Sequence, residues 1–259
     1  MRAIILAAGK GRRMAFEQVR LPKVMLSFGG KTLLRRHIEI LRHCGVDEIV
    51  VAVGYRSDLI EDEIAAMGAG DYVKTVNNPD YEQGSIVTLW SVREELLSGS
   101  DVILMDADVL YDYRMIERLL ASDHANCFLL DRDFEEGEEP TKLCVRDGHL
   151  VEFHKVVNVA YDFWGESVGF FRLAEDVARR LVPACKRYLD ADMRFELYDE
   201  ALRGMLITDP PGAFGFEDVT GLPWTEIDFK EDIDHANRVV MEKLLDPRPD
   251  RPNLSIVGD

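Results

Sequence analysis

The chain has 259 residues, of which 47% are hydrophobic and 31% charged, and its formal net charge is −17 with a sequence pI near 4.8. This length and composition are typical of a single globular domain and exclude a disordered or fibrous chain. So large a negative charge argues against a nucleic acid or an anionic membrane as a broad-surface partner.

The first half of the chain alternates short apolar runs with amphipathic segments. The runs AIILAA, DEIVVAVG, YVKTVNN and DVILMDADV predict four strands. Helical spacing of apolar residues predicts helices over 31–44, 57–68, 84–97 and 112–121, with Ser57 and Ser85 as caps. Alternation at this rhythm predicts βαβ units and a parallel sheet.

The pattern changes after about residue 126. The runs NCFLLD, TKLCVRD, HLVEFHK and SVGFFRL predict strands, and Asp147-Gly148 predicts a hairpin turn. Helices follow at 173–189 and 193–205, then strands in FGFEDV and WTEIDF, and a helix from Glu231 to Leu245. We therefore expect an α/β sandwich with a mixed sheet and an inserted antiparallel part.

The basic residues of this acidic protein are concentrated near its N-terminus. Residues 1–42 contain ten Lys or Arg and only two acids, which predicts a small anionic ligand. Gly9-Lys10-Gly11 directly follows the first strand. Glycines in such a place let backbone N–H groups approach phosphate oxygens, and the start of a helix adds partial positive charge. The segment therefore predicts a phosphate-binding loop, although a plain strand-to-helix turn has similar glycines.

Three phosphate-binding motifs compete for this loop. The dinucleotide fingerprint GxGxxG has Met14 in place of its third glycine, and the P-loop pattern GxxxxGK[ST] is absent from the sequence. The pattern LxxGxGxR[ML] followed by PK is matched at every position, by Leu6, Gly9, Gly11, Arg13, Met14, Pro22 and Lys23.

With these residues the chain resembles the pyrophosphorylase-type nucleotidyltransferases, which join an NTP to a phosphorylated acceptor and release pyrophosphate. Within them it is most similar to cytidylyltransferases with a MobA-like NTP transferase domain that act on phosphocholine, 2-aminoethylphosphonate or inositol phosphate. The resemblance implies a Rossmann-like three-layer α/β/α nucleotidyltransferase fold with a mostly parallel mixed sheet. It also implies one domain over 1–245, with a nucleotide-binding half (1–125) and an acceptor-binding half (126–245), and a flexible tail over 246–259.

The resemblance also implies which residues bind the nucleotide. Lys23 and Arg13 would neutralise the triphosphate, with Lys23 on the α-phosphate, and both are expected to be catalytic. Gln83, Gly84 and Ser85 would hold the base and ribose, although Ser85 also reads as a helix cap. The full expected nucleotide-binding set is Leu6, Ala7, Ala8, Gly9, Lys10, Gly11, Arg12, Arg13, Lys23, Gln83, Gly84, Ser85 and Asp106.

Two acidic pairs predict a metal site. Asp106 and Asp108 lie two residues apart near the end of a predicted strand, so their side chains point to the same side. The carboxyl ends of parallel strands are also where such sheets bind ligands. They also read as caps of the next helix. Glu226 and Asp228 follow another strand. The resemblance implies that Asp108 and Asp228 hold a hard divalent ion, most simply Mg²⁺, while Asp106 orients the loop or the ribose.

Acceptor binding is expected at the other end of the site. Lys155 matches a lysine that related transferases direct at the acceptor phosphate, and Glu166 would face the same pocket. Trp164 and Trp224 are candidates for caging a quaternary ammonium, and they read equally as core or dimer contacts. The implied reaction transfers CMP from CTP to a small phosphate or phosphonate alcohol.

Other readings stay open from the sequence alone. The same chemistry with UTP or another NTP and a sugar 1-phosphate is an alternative, as is a regulatory subunit that binds a nucleotide without catalysis. An NAD-type oxidoreductase lacks the third glycine and leaves the paired acids unexplained. The four widely spaced cysteines, and the absence of a membrane-length apolar run or a signal peptide, favour a cytoplasmic protein. Both a monomer and a homodimer stay open.

Overall fold

A central mixed sheet organises the computed structural model, which describes residues 1–11, 21–133 and 140–247. The strands in these ranges are β1 (Arg2–Leu6), β2 (Ser27–Phe28), β3 (Lys31–Thr32), β4 (Glu48–Val53), β5 (Val73–Asn77), β6 (Val102–Asp106), β7 (Val109–Tyr111), β8 (Cys127–Asp131), β9 (Lys142–Arg146), β10 (His149–His154), β11 (Phe163–Leu173), β12 (Gly215–Asp218) and β13 (Trp224–Glu226).

Helices cover both faces of this sheet. They are α1 (Leu33–His43), α2 (Ser57–Ala66), α3 (Ser85–Ser91), α4 (Arg93–Leu96), α5 (Arg114–Ala121), α6 (Glu175–Asp190), α7 (Asp199–Thr208), α8 (Lys230–His235) and α9 (Met241–Lys243). A π-helical segment, Ala236–Val240, joins the last two, and a 3-10 turn occupies Lys23–Met25. None of the helices described is long and apolar enough to cross a membrane.

The main sheet has nine strands in the order β10-β9-β11-β6-β1-β4-β5, with β8 beside β11 and β12 beside β8. Strands β6, β1, β4 and β5 are parallel, whereas β11 runs antiparallel to β6, β8 and β9. The parallel register pairs Leu6 with Ala52 on one side and with Asp106 on the other. The carboxyl ends of the central strands therefore meet at one edge, where parallel sheets bind ligands.

Two apolar cores lie on opposite faces of the sheet. In β1, Ala3 and Ile5 point into one core, shared with α1, α2 and α5, while Ile4 points into the other, shared with α3, α6 and α7. This arrangement follows from the alternation of side chains along a strand. The all-apolar run of the first strand is thus buried on both faces, and the expected three-layer α/β/α fold is confirmed.

Several local predictions were wrong. DVILMDADV forms two strands, because the chain leaves the main sheet after Asp106 and β7 pairs with β13 in a separate two-stranded sheet. Neither Ser57 nor Ser85 caps a helix. Each is the first helical residue, and the hydroxyl of Ser85 accepts a hydrogen bond from the Tyr198 amide (3.0 Å). The helix expected over 193–205 begins only at Asp199.

Candidate active site

A cavity of about 690 Å³ opens at the carboxyl ends of the central strands. It lies where β1 and β6 end, because their parallel register brings the glycine loop next to the strand-end acids. Its lining includes Leu6, Ala8 and Gly9 at the end of β1, Gln83, Ser85 and Thr88 around the start of α3, Asp106 and Asp108 at the end of β6, residues 166–169 of β11, Tyr198 and Asp199 at the start of α7, and Glu226, Asp228 and Phe229 at the end of β13.

Lys23 is held between Asp108 and Asp228, two carboxylates that line this cavity. Its Nζ donates to Oδ2 of Asp108 at 2.7 Å and to Oδ1 of Asp228 at 2.5 Å. Burial alone would lower the pKa of Lys23, but the attraction of both carboxylates and the hydrogen bonds to them raise it above its ordinary value. The ammonium therefore stays charged at neutral pH.

Gly11 and Lys23 pack against each other, which explains why the loop and the distant Pro-Lys occur together. Gly11 has a φ of 60°, a left-handed conformation that side chains disfavour, and an added Cβ would lie 3.0 Å from the Cγ of Lys23. Arg12 and Arg13, predicted to bind phosphate, lie outside the described residues.

Three carboxylates surround the Lys23 ammonium and form the candidate metal centre. Oxygens of Asp108, Glu226 and Asp228 all lie within 4.8 Å of one another. The ribbon of β7 and β13 brings them together, since Glu226 pairs with Val109 and the Ile227 amide donates to the Asp108 carbonyl (2.9 Å). The predicted ligands Asp108 and Asp228 are thus adjacent.

This donor set fits a hard divalent cation, which prefers carboxylate oxygens. Glu226 is exposed to the water of the cavity, yet enclosure by the cavity walls and repulsion from Asp108 and Asp228 raise the pKa of its carboxyl to about 8. The three carboxylates repel one another, and two of them bond to the Lys23 ammonium. A cation bound among them would relieve that repulsion. The group can therefore bind a metal ion.

Asp106 has a different environment from Asp108. Burial, followed by the charges of Asp199 and Asp108, raises the pKa of Asp106 well above its usual range, although the hydroxyl of Tyr198 donates to it at 2.9 Å. Tyr198 is itself buried, and its amide donates to Ser85. Tyr198 thus connects Ser85, at the start of α3, with Asp106, at the end of β6.

The start of α3, which is expected to hold the base, is hydrogen-bonded to residues 194–196, which precede α7. The Gly84 amide donates to the Arg194 carbonyl (2.8 Å), and the Ile86 amide donates to the Glu196 carbonyl (3.2 Å). The side-chain oxygen of Gln83 is buried and has no hydrogen-bond partner within the described chain. The Gly84 amide and the Ser85 hydroxyl therefore bond within the protein, whereas the side-chain oxygen of Gln83 can still accept a hydrogen bond.

This contact gives a first prediction, for Gly84→Ala. An added Cβ would lie 2.5 Å from the backbone carbon of Phe195 and closer still to the Glu196 carbonyl oxygen. Because backbone has to move, we expect a loss of about 1–3 kcal/mol in the free energy of unfolding and a raised KM for the nucleotide. Urea unfolding and steady-state kinetics measure both. Gly204→Ala is the control, since nothing lies near that glycine in α7, and an equal loss there would contradict the account.

His37 of α1 supports the loop between the two acids. It is fully buried, its Nε2 donates to the Ala107 carbonyl (3.0 Å), and its Nδ1 accepts from the Tyr111 hydroxyl (3.3 Å). Burial lowers the pKa of His37 from 6.5 to about 4, despite the hydrogen bond to Ala107 and the charge of Asp108. The ring is therefore neutral in the folded protein at neutral pH.

A pH dependence of stability follows. The unfolded chain takes up a proton on His37 as the pH falls through 6.5, whereas the folded protein resists it down to about pH 4. The free energy of unfolding is thus highest above the pKa of the unfolded state. It decreases as the pH falls, and at about pH 5 the loss from His37 is about 2 kcal/mol. Urea unfolding at about pH 7 and about pH 5 should show this extra loss in the wild type and not in His37→Gln. Identical acid sensitivity of the two proteins would contradict the assignment.

The expected acceptor residues divide into two groups. Lys155 and Glu166 line the cavity. Trp164 and Trp224 are not among its described lining residues. The Trp164 ring lies under the Lys142 ammonium (5.2 Å), and the Trp224 indole N–H donates to Asp131 (2.6 Å) in a neighbouring cleft. An aromatic cage from these two residues is therefore not assembled in the cavity.

A smaller cavity of about 380 Å³ adjoins the glycine loop. Lys10, Gly11, Lys23 and Gly84 line it, and the side chain of Lys10 forms an ion pair with Glu82. Ala7 is buried, and its amide donates to the Ala52 carbonyl (2.9 Å).

The sequence did not predict four residues that line these cavities. They are Tyr198 and Asp199 of the larger cavity and Phe195 and Leu197 of the smaller one, and they were missed because they lie in what looked like an ordinary helix.

Comparison with known families decides the identity. The family model described as MobA-like NTP transferase domain matches residues 3–159. The chain belongs to this family. It is a nucleotidyltransferase, and the resemblance inferred from the glycine loop and the Pro-Lys is confirmed.

Relatives within the family extend this similarity. The chain is 25% identical over 254 residues to the CTP:phosphoglutamine cytidylyltransferase of Campylobacter jejuni, covering 90% of this chain and 98% of that protein. It is 27% identical over 234 residues to the CMP-5'-(3-aminopropyl)phosphonate synthase of Streptomyces rubellomurinus, covering 88% of this chain but 37% of that protein. The inositol-1-phosphate CTP transferase from T. maritima shares the fold, with a TM-score of 0.73, 21% identity and 93% coverage of both chains.

Proposed function

We propose that this nucleotidyltransferase is a cytidylyltransferase, which transfers CMP from CTP to a small phosphorylated or phosphonate acceptor and releases pyrophosphate. The observation that carries the proposal is the placement of Lys23 between Asp108 and Asp228, beside the glycine loop, with these two carboxylates and Glu226 lining one cavity. The relatives named for CTP support the choice of nucleotide.

In the proposed reaction the acceptor's own phosphate or phosphonate oxygen attacks the α-phosphorus of CTP. A bond forms between that oxygen and the α-phosphorus, and the bond from the α-phosphorus to the oxygen that bridges to the β-phosphate breaks. Pyrophosphate leaves with the electron pair. The attacking oxygen is already ionised, so no proton has to be removed and no covalent enzyme nucleophile is required. Positioning and charge stabilisation are then the main contributions of the protein.

We assign the nucleotide to the half of the chain formed by residues 1–125. The backbone from Leu6 to Gly11, with Arg12 and Arg13, would bind the triphosphate, and Gln83 would accept a hydrogen bond from the base. Lys23 would leave its carboxylates for the α-phosphate, where negative charge increases in the transition state. Mg²⁺ held by Asp108, Asp228 and Glu226 would neutralise the same phosphoryl group.

The acceptor is assigned to the half formed by residues 126–245, with Lys155 binding its phosphate or phosphonate. The four cysteines are free thiols, which supports a reducing compartment, and we propose that the protein acts in the cytoplasm.

The test is pyrophosphate release in the presence of Mg²⁺, measured for each common NTP against phosphocholine, 2-aminoethylphosphonate, inositol 1-phosphate and several sugar 1-phosphates. We expect release with CTP and one of the first three acceptors. Release with UTP and a sugar 1-phosphate would keep the chemistry and overturn the choice of substrates. Nucleotide binding without release in any combination would instead indicate a regulatory subunit.

A further inference from the structure

Phe195 is an aromatic residue beside the glycine loop that the reaction described so far does not use. It is 76% exposed, the highest fraction among the large hydrophobic residues that the structure describes. It nevertheless lines the cavity of about 380 Å³ that adjoins the loop. Leaving an apolar ring in water is unfavourable, and a flat ligand in this cavity would cover it.

The main chain on both sides of Phe195 is hydrogen-bonded to the start of α3. The Arg194 carbonyl accepts from the Gly84 amide (2.8 Å), and the Glu196 carbonyl accepts from the Ile86 amide (3.2 Å). Phe195 itself packs against Gly84, since a Cβ added to that glycine would lie 2.8 Å from the Cα of Phe195. The ring therefore projects from a backbone that is fixed against the expected base-binding segment, as a residue that orients a ligand should.

The other residues of this cavity indicate which ligand Phe195 would meet. Lys10, Gly11 and Lys23 belong to the two segments that are expected to bind phosphates. Gln83 contributes a buried side-chain oxygen that has no hydrogen-bond partner within the described chain. A ligand that suits all of them carries phosphates, a hydrogen-bond donor and a flat ring. Cytidine triphosphate has each of these, because the amino group of cytosine is a donor.

Exposed apolar side chains without any function are common on protein surfaces. Met193, two residues earlier and 44% exposed, fits that explanation, because it lines neither of the two cavities nor the neighbouring cleft. Phe195 differs from Met193 in lining a cavity and in packing against Gly84. The two residues of one segment therefore provide a matched comparison.

We propose that Phe195 stacks on the cytosine ring of bound CTP, so that the half of the chain formed by residues 126–245 contributes to nucleotide binding. This inference rests on the proposed function and adds a residue that binds the base. Aromatic side chains bind bases through their ring faces, whichever base it is. The selection of cytosine is therefore left to hydrogen bonds such as the one assigned to Gln83.

The test is calorimetric titration of CTP in the presence of Mg²⁺, with the wild type, Phe195→Ala, Phe195→Tyr and Met193→Ala. We expect Phe195→Ala to raise the Kd for CTP by roughly 10- to 100-fold, the effect of losing one stacking contact. The other two variants should stay within a few-fold of the wild type. Inorganic tripolyphosphate, which has no base, should bind equally to Phe195→Ala and to the wild type. The melting temperature of Phe195→Ala should be unchanged, because the lost side chain is exposed.

The outcomes separate this inference from the proposed function. An unchanged Kd for CTP in Phe195→Ala, while both proteins turn CTP over, would overturn the role of Phe195 and leave the cytidylyltransferase standing. Equal weakening of CTP and tripolyphosphate would do the same, because the loss would then lie in phosphate binding. Loss of a dimer in Phe195→Ala without weaker CTP binding, measured by sedimentation, would assign the ring to an interface between two copies and overturn the inference. Absence of CTP binding and turnover in the wild type would overturn both.

Discussion

Replacing Lys23 with methionine will slow pyrophosphate release by about 10²- to 10³-fold, the effect of removing one preorganised charge from a transition state. The same change will strengthen the binding of divalent cations in the absence of nucleotide. The reason is geometric, since the Lys23 ammonium lies 2.7 Å from Asp108 and 2.5 Å from Asp228 and neutralises the carboxylates that a metal ion would use. Removing that competing charge should raise cation affinity by roughly tenfold or more.

Titration with Mn²⁺ or Tb³⁺ measures the second effect independently of turnover. Lys31→Met is a matched control, because Lys31 also pairs with two acids, Glu39 (2.7 Å) and Asp246 (3.3 Å), but lies away from the cavity. We expect the control to leave cation affinity and turnover unchanged. Weaker cation binding in Lys23→Met would show that the lysine organises the carboxylates instead of occupying their site.

Asp108→Asn should have a comparable effect on turnover through a different cause. The amide keeps the shape of the side chain but removes one of three charges that attract the cation, so we expect a loss of about 10²- to 10³-fold in kcat at saturating CTP. Because repulsion from Asp108 helps to raise the pKa of Glu226, the variant should also lower that pKa from about 8, which carboxyl NMR can follow. Asp123→Asn, at an exposed acid, is the control.

Unchanged Mg²⁺ dependence in Asp108→Asn would contradict the assignment of this carboxylate as a metal ligand. A lost activity without any change in Mn²⁺ affinity would likewise point to a structural role. The double variant Lys23→Met with Asp108→Asn separates the two explanations, since the lysine and the carboxylate bond directly and their effects should not add.

The meeting of Lys23 with Asp108 and Asp228 was predictable from the sequence because its signals are local. Gly9, Gly11 and Lys23 are recognisable by spacing, and Asp108 and Asp228 each lie near the end of a predicted strand. The fold was predictable for the same reason, since strand and helix periodicities differ. The parallel register then brings these strand ends together without further information.

The part of the cavity formed by residues 193–199 was not predictable because it depends on contacts between distant segments. Tyr198 reaches Ser85 and Asp106 only after α7 packs beside the sheet, and residues 193–198 leave the helical pattern to bond with Gly84 and Ile86. From the sequence, Trp224 was equally a candidate for an aromatic cage and for a core or dimer contact, and in the structure its indole N–H donates to Asp131. The sequence also offered no means of distinguishing Asp199 from Glu200. In the structure Asp199 lines the cavity, whereas Glu200 pairs with His154 and Arg203.

The most direct test of the central claim is ³¹P NMR of a reaction that contains the protein, CTP, Mg²⁺ and 2-aminoethylphosphonate or another competent acceptor. Attack at the α-phosphorus predicts equal amounts of pyrophosphate and of a new product in which the CMP phosphorus is coupled to the acceptor phosphorus. Formation of CDP and orthophosphate, or an unchanged acceptor signal while CTP is consumed, would contradict transfer of the cytidylyl group.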